Sequence, residues 1–182
     1  RSDGSSDWLC MPRFDSDACF AALLGEPRHG RWLIAPRKDV RNVTRAYRGE
    51  SLILDTEFVT ATGKVRLTDF MPADAPTRPV VRIVEGLSGH VDIRAELVIR
   101  FDYGITIPWV NRVDSKTHTA IAGPHLLSVR SPIGLRGENM HSVSRFTVRK
   151  GERVPFVMSY GRSHKDLPPV MDADIELEKT EK

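Results

Sequence analysis

Cysteine is scarce in this chain of 182 residues: Cys10 and Cys19 are the only two. That count excludes the disulfide frameworks on which small secreted folds rely. Both lie among apolar neighbours and are expected to be small buried hydrophobes. Metal-ligand spacing is lacking as well. No CxxC occurs, and the six histidines, at positions 29, 90, 118, 125, 141 and 164, do not pair at helical ligand spacing. Neither a metal nor a cofactor is therefore expected. Charge of one sign is not in excess: 27 Lys plus Arg stand against 24 Asp plus Glu, a net +3, too little to imply a nucleic-acid partner. The basic residues between Arg28 and Arg48 fit a solvated strand face better than a phosphate-tracking patch. No signal peptide is legible and no apolar run is long enough to span a bilayer. The expectation is a cytoplasmic protein without a membrane partner. Ser/His/Asp and Cys/His arrangements are missing, and Gly86-Leu87-Ser88-Gly89 leads into no helix that would make it a phosphate cradle.

What is present is a long series of strand patterns. The composition, 40% hydrophobic and 28% charged, is that of an ordinary globular domain. Ser51 to Ala61 alternates, Thr62-Gly63-Lys64 is a hairpin turn, and Val65 to Pro72 alternates again. Val80 to Leu87 and Val91 to Phe101 are predicted as a strand pair joined at Ser88-Gly89-His90. Further strands are predicted at Trp109 to Val113, His118 to Ala122, Leu126 to Arg130, Ser142 to Arg149 and Arg153 to Tyr160. Strands spaced in this way, without intervening helices, argue for an all-β fold, an antiparallel β-sandwich, rather than βαβ units.

One stretch stands apart. From Asp3 to Leu24 the chain reads DGSSDWLCMPRFDSDACFAALL, with an extended run up to Pro12, a turn at Arg13-Phe14-Asp15, and a predicted short helix over Ala18 to Leu24 behind Ser16 as N-cap. Trp8, Arg13, Phe14 and Asp15 combine an aromatic platform, a planar donor fork and an acceptor, the groups with which proteins hold sugars. The alternative is equally open at this stage: Trp8 and Phe14 belong to the core, and Arg13 and Asp15 form a local ion pair that fixes the turn.

This stretch, followed by Gly30-Arg31-Trp32-Leu33-Ile34-Ala35-Pro36, resembles the amino-terminal domain of bacterial glycoside hydrolase family 15 proteins, the glucoamylase and trehalase-like enzymes. Ser6 stands where that family usually has Ile, Met11 where it has Leu, and Asp17-Ala18 replaces a Pro-Ser-type pair. The resemblance continues through Leu54-Asp55-Thr56, Val65 to Pro72, Arg82-Ile83-Val84 and Arg100-Phe101-Asp102-Tyr103-Gly104. It implies a supersandwich-like domain over residues 1–160, then a linker at 161–182 leading to an (α/α)6 catalytic domain beyond Lys182. That barrel would be the domain's partner, and would hold the inverting glutamate pair that cleaves α-glucosidic bonds in trehalose or α-glucans. No catalytic residue is then expected in this chain. Trp8, Arg13, Phe14 and Asp15 are expected near the substrate of the parent enzyme. An exposed docking surface would leave the fragment prone to self-association.

Asp69 and Asp102, each set in an apolar stretch, are expected to be buried and hydrogen-bonded rather than catalytic. Asp172 to Lys182 is expected to begin a helix. A stand-alone carbohydrate-binding or structural sandwich is the alternative to the accessory domain.

Overall fold

The computed structural model describes residues 1–72, 74–75 and 77–182. Its strands are β1 (Ser5–Ser6), β2 (Leu9–Cys10), β3 (Ala18–Phe20), β4 (Arg31–Pro36), β5 (Asn42–Tyr47), β6 (Leu54–Val59), β7 (Gly63–Phe70), β8 (Val80–Val98), β9 (Trp109–Arg112), β10 (Thr117–Ala122), β11 (His125–Arg130), β12 (Arg136–Glu138), β13 (His141–Arg149) and β14 (Arg153–Arg162). All pairings are antiparallel. One sheet runs β1-β4-β8-β13-β12 and the other β5-β6-β7-β8-β14-β11-β10-β9. Between them lies the main core. Trp32, Ile34, Ile93 and Leu97 of the first sheet pack with Phe58, Leu67, Val84 and Phe156 of the second. Trp32 meets Phe156 edge to face, with ring centroids 6.5 Å apart. The alternation that predicted the sandwich puts one face of most strands into this layer.

Strand β8 belongs to both sheets. Its first half pairs with β7 and β14, its second half with β4 and β13. The expected hairpin at Ser88-Gly89-His90 is therefore a crease in one continuous strand. Gly89 makes the crease possible. Its φ is +59°, and a Cβ there would stand 2.1 Å from the Thr62 carbonyl oxygen. The glycine that reads as a turn in sequence is needed instead for a close backbone crossing where the strand changes sheets.

The predicted helix over Ala18 to Leu24 is corrected to strand β3 followed by a single 3-10 turn, Ala22–Leu24. Its backbone groups are claimed from a distance: the Arg100 N–H donates to the Cys19 carbonyl, and the Ala21 and Ala22 N–H groups to the carbonyls of His29 and Gly30. Ser16 does not cap a helix; its hydroxyl accepts from the Arg13 N–H and closes the turn. Tertiary pairing outweighs a weak local propensity here.

The helix expected in the tail does form. Helix α1 (Ala173–Thr180) is capped by the Asp172 carboxylate, which accepts from the N–H groups of Asp174 and Ile175. It lays Ala173 and Leu177 against Ile53, Phe70, Val81, Ile83 and Val157, on a second apolar cluster. A tail that is polar in composition thus covers part of the sandwich. No helix among the described residues is long and apolar enough to cross a membrane.

Candidate functional site

Two segments distant in sequence meet at one end of the sandwich. The first is the loop between β2 and β3, centred on the turn Arg13 to Ser16, with the Ser16 N–H bonded to the Arg13 carbonyl. The second follows Phe101, where Asp102, Tyr103 and Gly104 all have positive φ. Asp and Tyr adopt that conformation at a steric cost, and a chain that holds both there is locally strained. The turn is fixed by the Asp102 carboxylate, which accepts from the Thr106 hydroxyl. Gly104 abuts His29, whose Cβ would lie 2.9 Å from a Cβ at that glycine. The result is Tyr103 presented to Trp8, ring centroids 6.1 Å apart and tilted by 38°.

Of the residues singled out from the sequence, Phe14 is 92% exposed and Trp8 39% exposed. Neither is a core residue. Arg13 and Asp15 form the local pair of the alternative reading, with Nε to Oδ1 at 2.9 Å and a terminal nitrogen to Oδ2 at 2.7 Å. The pair lies at the surface, so its worth is geometric rather than energetic. It leaves the outer edge of a planar guanidinium and carboxylate open to a ligand.

Below the loop is a hollow of about 220 Å³ lined by Met11, Asp15, Asp17, Phe101, Asp102 and His125, together with Ser16. His125 is held from behind. Its ring stacks on Phe101 at 6.0 Å and its Nδ1 is 2.9 Å from the Tyr160 hydroxyl. Partial burial, and then the carboxylates of Asp17 and Asp15, push the Cys10 thiol up, which disfavours its thiolate. Desolvation first, and the Asp17 charge second, also push the Tyr103 phenol up and keep it a hydrogen-bond donor. The hollow therefore offers carboxylate acceptors, an imidazole and the ring of Phe101, a set suited to polyhydroxylated ligands, and of the four residues singled out from the sequence Asp15 is the one that lines it. No group of three His, Cys, Asp or Glu among the described residues is placed to hold a metal ion.

Sequence reasoning missed Asp17, Asp102, Tyr103 and His125 as partners of the loop. Asp102 was expected to be buried; it is exposed, because the left-handed turn carries it to the surface. The available signal was the Asp-Tyr-Gly run directly after Phe101. Asp69 meets its expectation in part: it pairs with Arg82 at 2.8 Å, but it is half-buried rather than buried.

Fold and site together define a class: an antiparallel sandwich domain whose exposed loops gather aromatic rings and carboxylates at one end. Residues 1–167 match the family model described as "Trehalase-like, N-terminal", and the chain belongs to that family. Trehalase 2 of Sulfolobus acidocaldarius is 36% identical over 103 residues, covering 57% of this chain and 16% of that protein. The trehalase of Thermoplasma volcanium is 35% identical over 118 residues, covering 60% of this chain and 19% of its own length. The trehalase of Mycolicibacterium smegmatis is 26% identical over 189 residues, covering 88% and 28%. The chain thus spans less than a third of the length of these relatives.

Proposed function

We propose that this chain is the amino-terminal accessory domain of a longer, cytoplasmic glycoside hydrolase of the family 15 type. Its reaction is hydrolysis of α,α-trehalose with inversion, and the residue pair that performs it lies outside this chain, in an (α/α)6 catalytic domain. The sandwich packs on that domain, and the loop carrying Trp8, Arg13, Phe14 and Asp15 helps shape the mouth of the substrate pocket. Residues 161–182 are the start of the connection.

One observation carries this reading. The DWLCMPRFDSD loop and the RFDYG turn, the two most distinctive motifs of the chain, meet through the rings of Trp8 and Tyr103 and jointly line a hollow with Asp15 and Asp17 from the one and Phe101 and Asp102 from the other. Trehalose is favoured over α-glucans because the relatives cited are trehalases. Two free cysteines are compatible with a reducing compartment.

The test is proton NMR of the longer polypeptide acting on trehalose, with maltose in parallel. Inversion at one anomeric carbon releases α- and β-glucose in equal amounts in the first minutes, whereas retention releases only the α-anomer. A polypeptide that cleaves maltose and leaves trehalose untouched would move the substrate to α-glucans.

The exposed rings of Trp8, Phe14 and Tyr103 also favour a second reading, a sandwich that binds carbohydrate by itself. Calorimetric binding of trehalose or maltose to the 182-residue chain alone would support it. The accessory reading requires no such binding.

A further inference from the structure

Arg82 and Arg100 are the buried arginines among the described residues, and they differ in one respect. Arg82 faces the carboxylate of Asp69. Arg100, 7% exposed, has no carboxylate within 4.0 Å among the described residues. Its terminal nitrogens donate to the backbone carbonyls of Ile99, at 2.7 Å, and Met140, at 3.3 Å. Its Nε has no hydrogen-bond partner among the described residues and is not fully enclosed. Burial pushes its pKa below the ordinary arginine value, and no neighbouring anion acts against that push. A buried cation without a counter-charge is destabilising, and a carboxylate brought to it from outside the domain would relieve that cost.

The surroundings point the same way. Arg100 lines a cleft of about 300 Å³ whose walls are largely apolar, among them Leu97, Leu135 and Ala120. The lip is formed by Ile107, Trp109 and Met140, all exposed, Trp109 to 72%. Beside the cleft runs β9, the last strand of its sheet, paired with β10 alone and exposed at each of its residues. An open edge flanked by large apolar side chains is a surface built to be covered.

We propose that this cleft and the β9 edge receive a segment of the longer polypeptide bearing an aspartate or glutamate between apolar side chains. The carboxylate closes on Arg100 while its neighbours cover Ile107, Trp109 and Met140. The occupant follows from charge complementarity and from length. The unanswered charge is positive, and in the relatives at least 72% of the polypeptide lies outside the matched part. A small carboxylate would fill the cleft and leave the β9 edge bare. The inference rests on the reading of this chain as one domain of a longer protein.

Hydrogen exchange compares the 182-residue chain with the longer polypeptide, in both cases read at residues 105–112. The expected result is exchange slowed by about tenfold or more in the longer polypeptide, with the protection largely lost in Arg100→Met, as expected when one side of a buried charge pair is removed. Trp109→Ser, at an exposed position where folding is not at stake, weakens the same protection. Equal exchange in the two wild-type forms overturns the inference. So does full protection in both variants, or equal protection of the short chain by hexanoate or by its own dimerisation. Hydrolysis is not the readout. A polypeptide that cleaves trehalose without protecting these residues overturns this inference alone, and one that protects them without cleaving trehalose overturns the substrate reading alone.

Discussion

Arg82 holds Asp69 in a two-point pair, Nε to Oδ1 at 2.8 Å and a terminal nitrogen to Oδ2 at 3.0 Å, while its guanidinium lies 5.3 Å from the ring centre of Trp32. The same group donates to the carbonyls of Trp32, at 2.5 Å, and Gly4, at 2.8 Å. One side chain of β8 thus ties β7, β4 and the amino-terminal segment together, and through that segment positions the loop that begins at Trp8. Asp69→Ala leaves this cation buried and unpaired. The expected loss is about 2–3 kcal/mol, below the range for a fully enclosed pair because Asp69 retains solvent access. Urea unfolding of the variant and of Asp69→Ala/Arg82→Met, which removes both charges and recovers part of the loss, checks this.

Acidification should weaken the fold through Glu96 and Glu138. Glu138 is held down to about 2, first by its hydrogen bond from Arg145 and then by the charges of Arg145 and Arg136. At Glu96 burial pushes the pKa up, but the hydrogen bond and charge of Arg31, then Arg94 and His141, outweigh it, and the carboxyl lies below its ordinary value. Both values are depressed relative to the unfolded chain. Their contribution is therefore complete above about pH 4.5 and is lost as pH falls toward 2. The urea midpoint is expected to drop across that window, and Glu138→Gln to drop less steeply than the wild type.

The crease in β8 depends on Gly89. Gly89→Ala places a methyl group against the Thr62 carbonyl, a backbone atom that has no rotamer to escape into, at a position of positive φ. A loss of about 2–3 kcal/mol is expected. Gly151→Ala is the control, since it also has positive φ but meets nothing within 4 Å. It should cost about 1 kcal/mol. A thermal melt in which the two variants behave alike would refute the close crossing.

Helix α1 covers the second apolar cluster, so it is expected to contribute to the stability of the sandwich. Leu177→Ala should cost about 2–3 kcal/mol, and Asp172→Ala, which removes the cap, about 1 kcal/mol. Calorimetry on both variants checks this. Stability unchanged in Leu177→Ala would mean that the tail adds nothing to the fold.

The sheets were legible because most strands bury one face. Leu54 to Phe58 and Gly63 to Leu67 show the alternation and the glycine turn between them that a hairpin requires. Ala18 to Leu24 was misread because a run of apolar residues does not distinguish a buried helix from a strand, and long-range acceptors such as the Cys19 carbonyl decided the matter. Gly89 was misread because a glycine needed for backbone approach looks like one needed for a turn. At the candidate site, the residue types from Trp8 to Asp15 were legible as a group. Their union with Tyr103 and His125 was not, since it arises from a meeting of segments about 90 and about 110 residues apart. The unanswered charge of Arg100 has no trace in sequence at all, because it is defined by what fails to reach it in space.

The central claim, that the Trp8–Asp15 loop of this domain works at the substrate of a trehalose hydrolase, is most directly tested by steady-state kinetics. Glucose release from trehalose is measured for the longer polypeptide with the native loop, with Phe14→Ala and with Asp15→Asn. Phe14 and Asp15 are exposed, so neither change should shift the unfolding temperature. The account predicts that the native form hydrolyses trehalose, that the 182-residue chain alone does not, and that each variant raises KM by about fivefold or more, as expected when an aromatic face or a hydrogen bond to a sugar hydroxyl is lost. Wild-type kinetics in both variants, or a longer polypeptide inert toward trehalose, would contradict it.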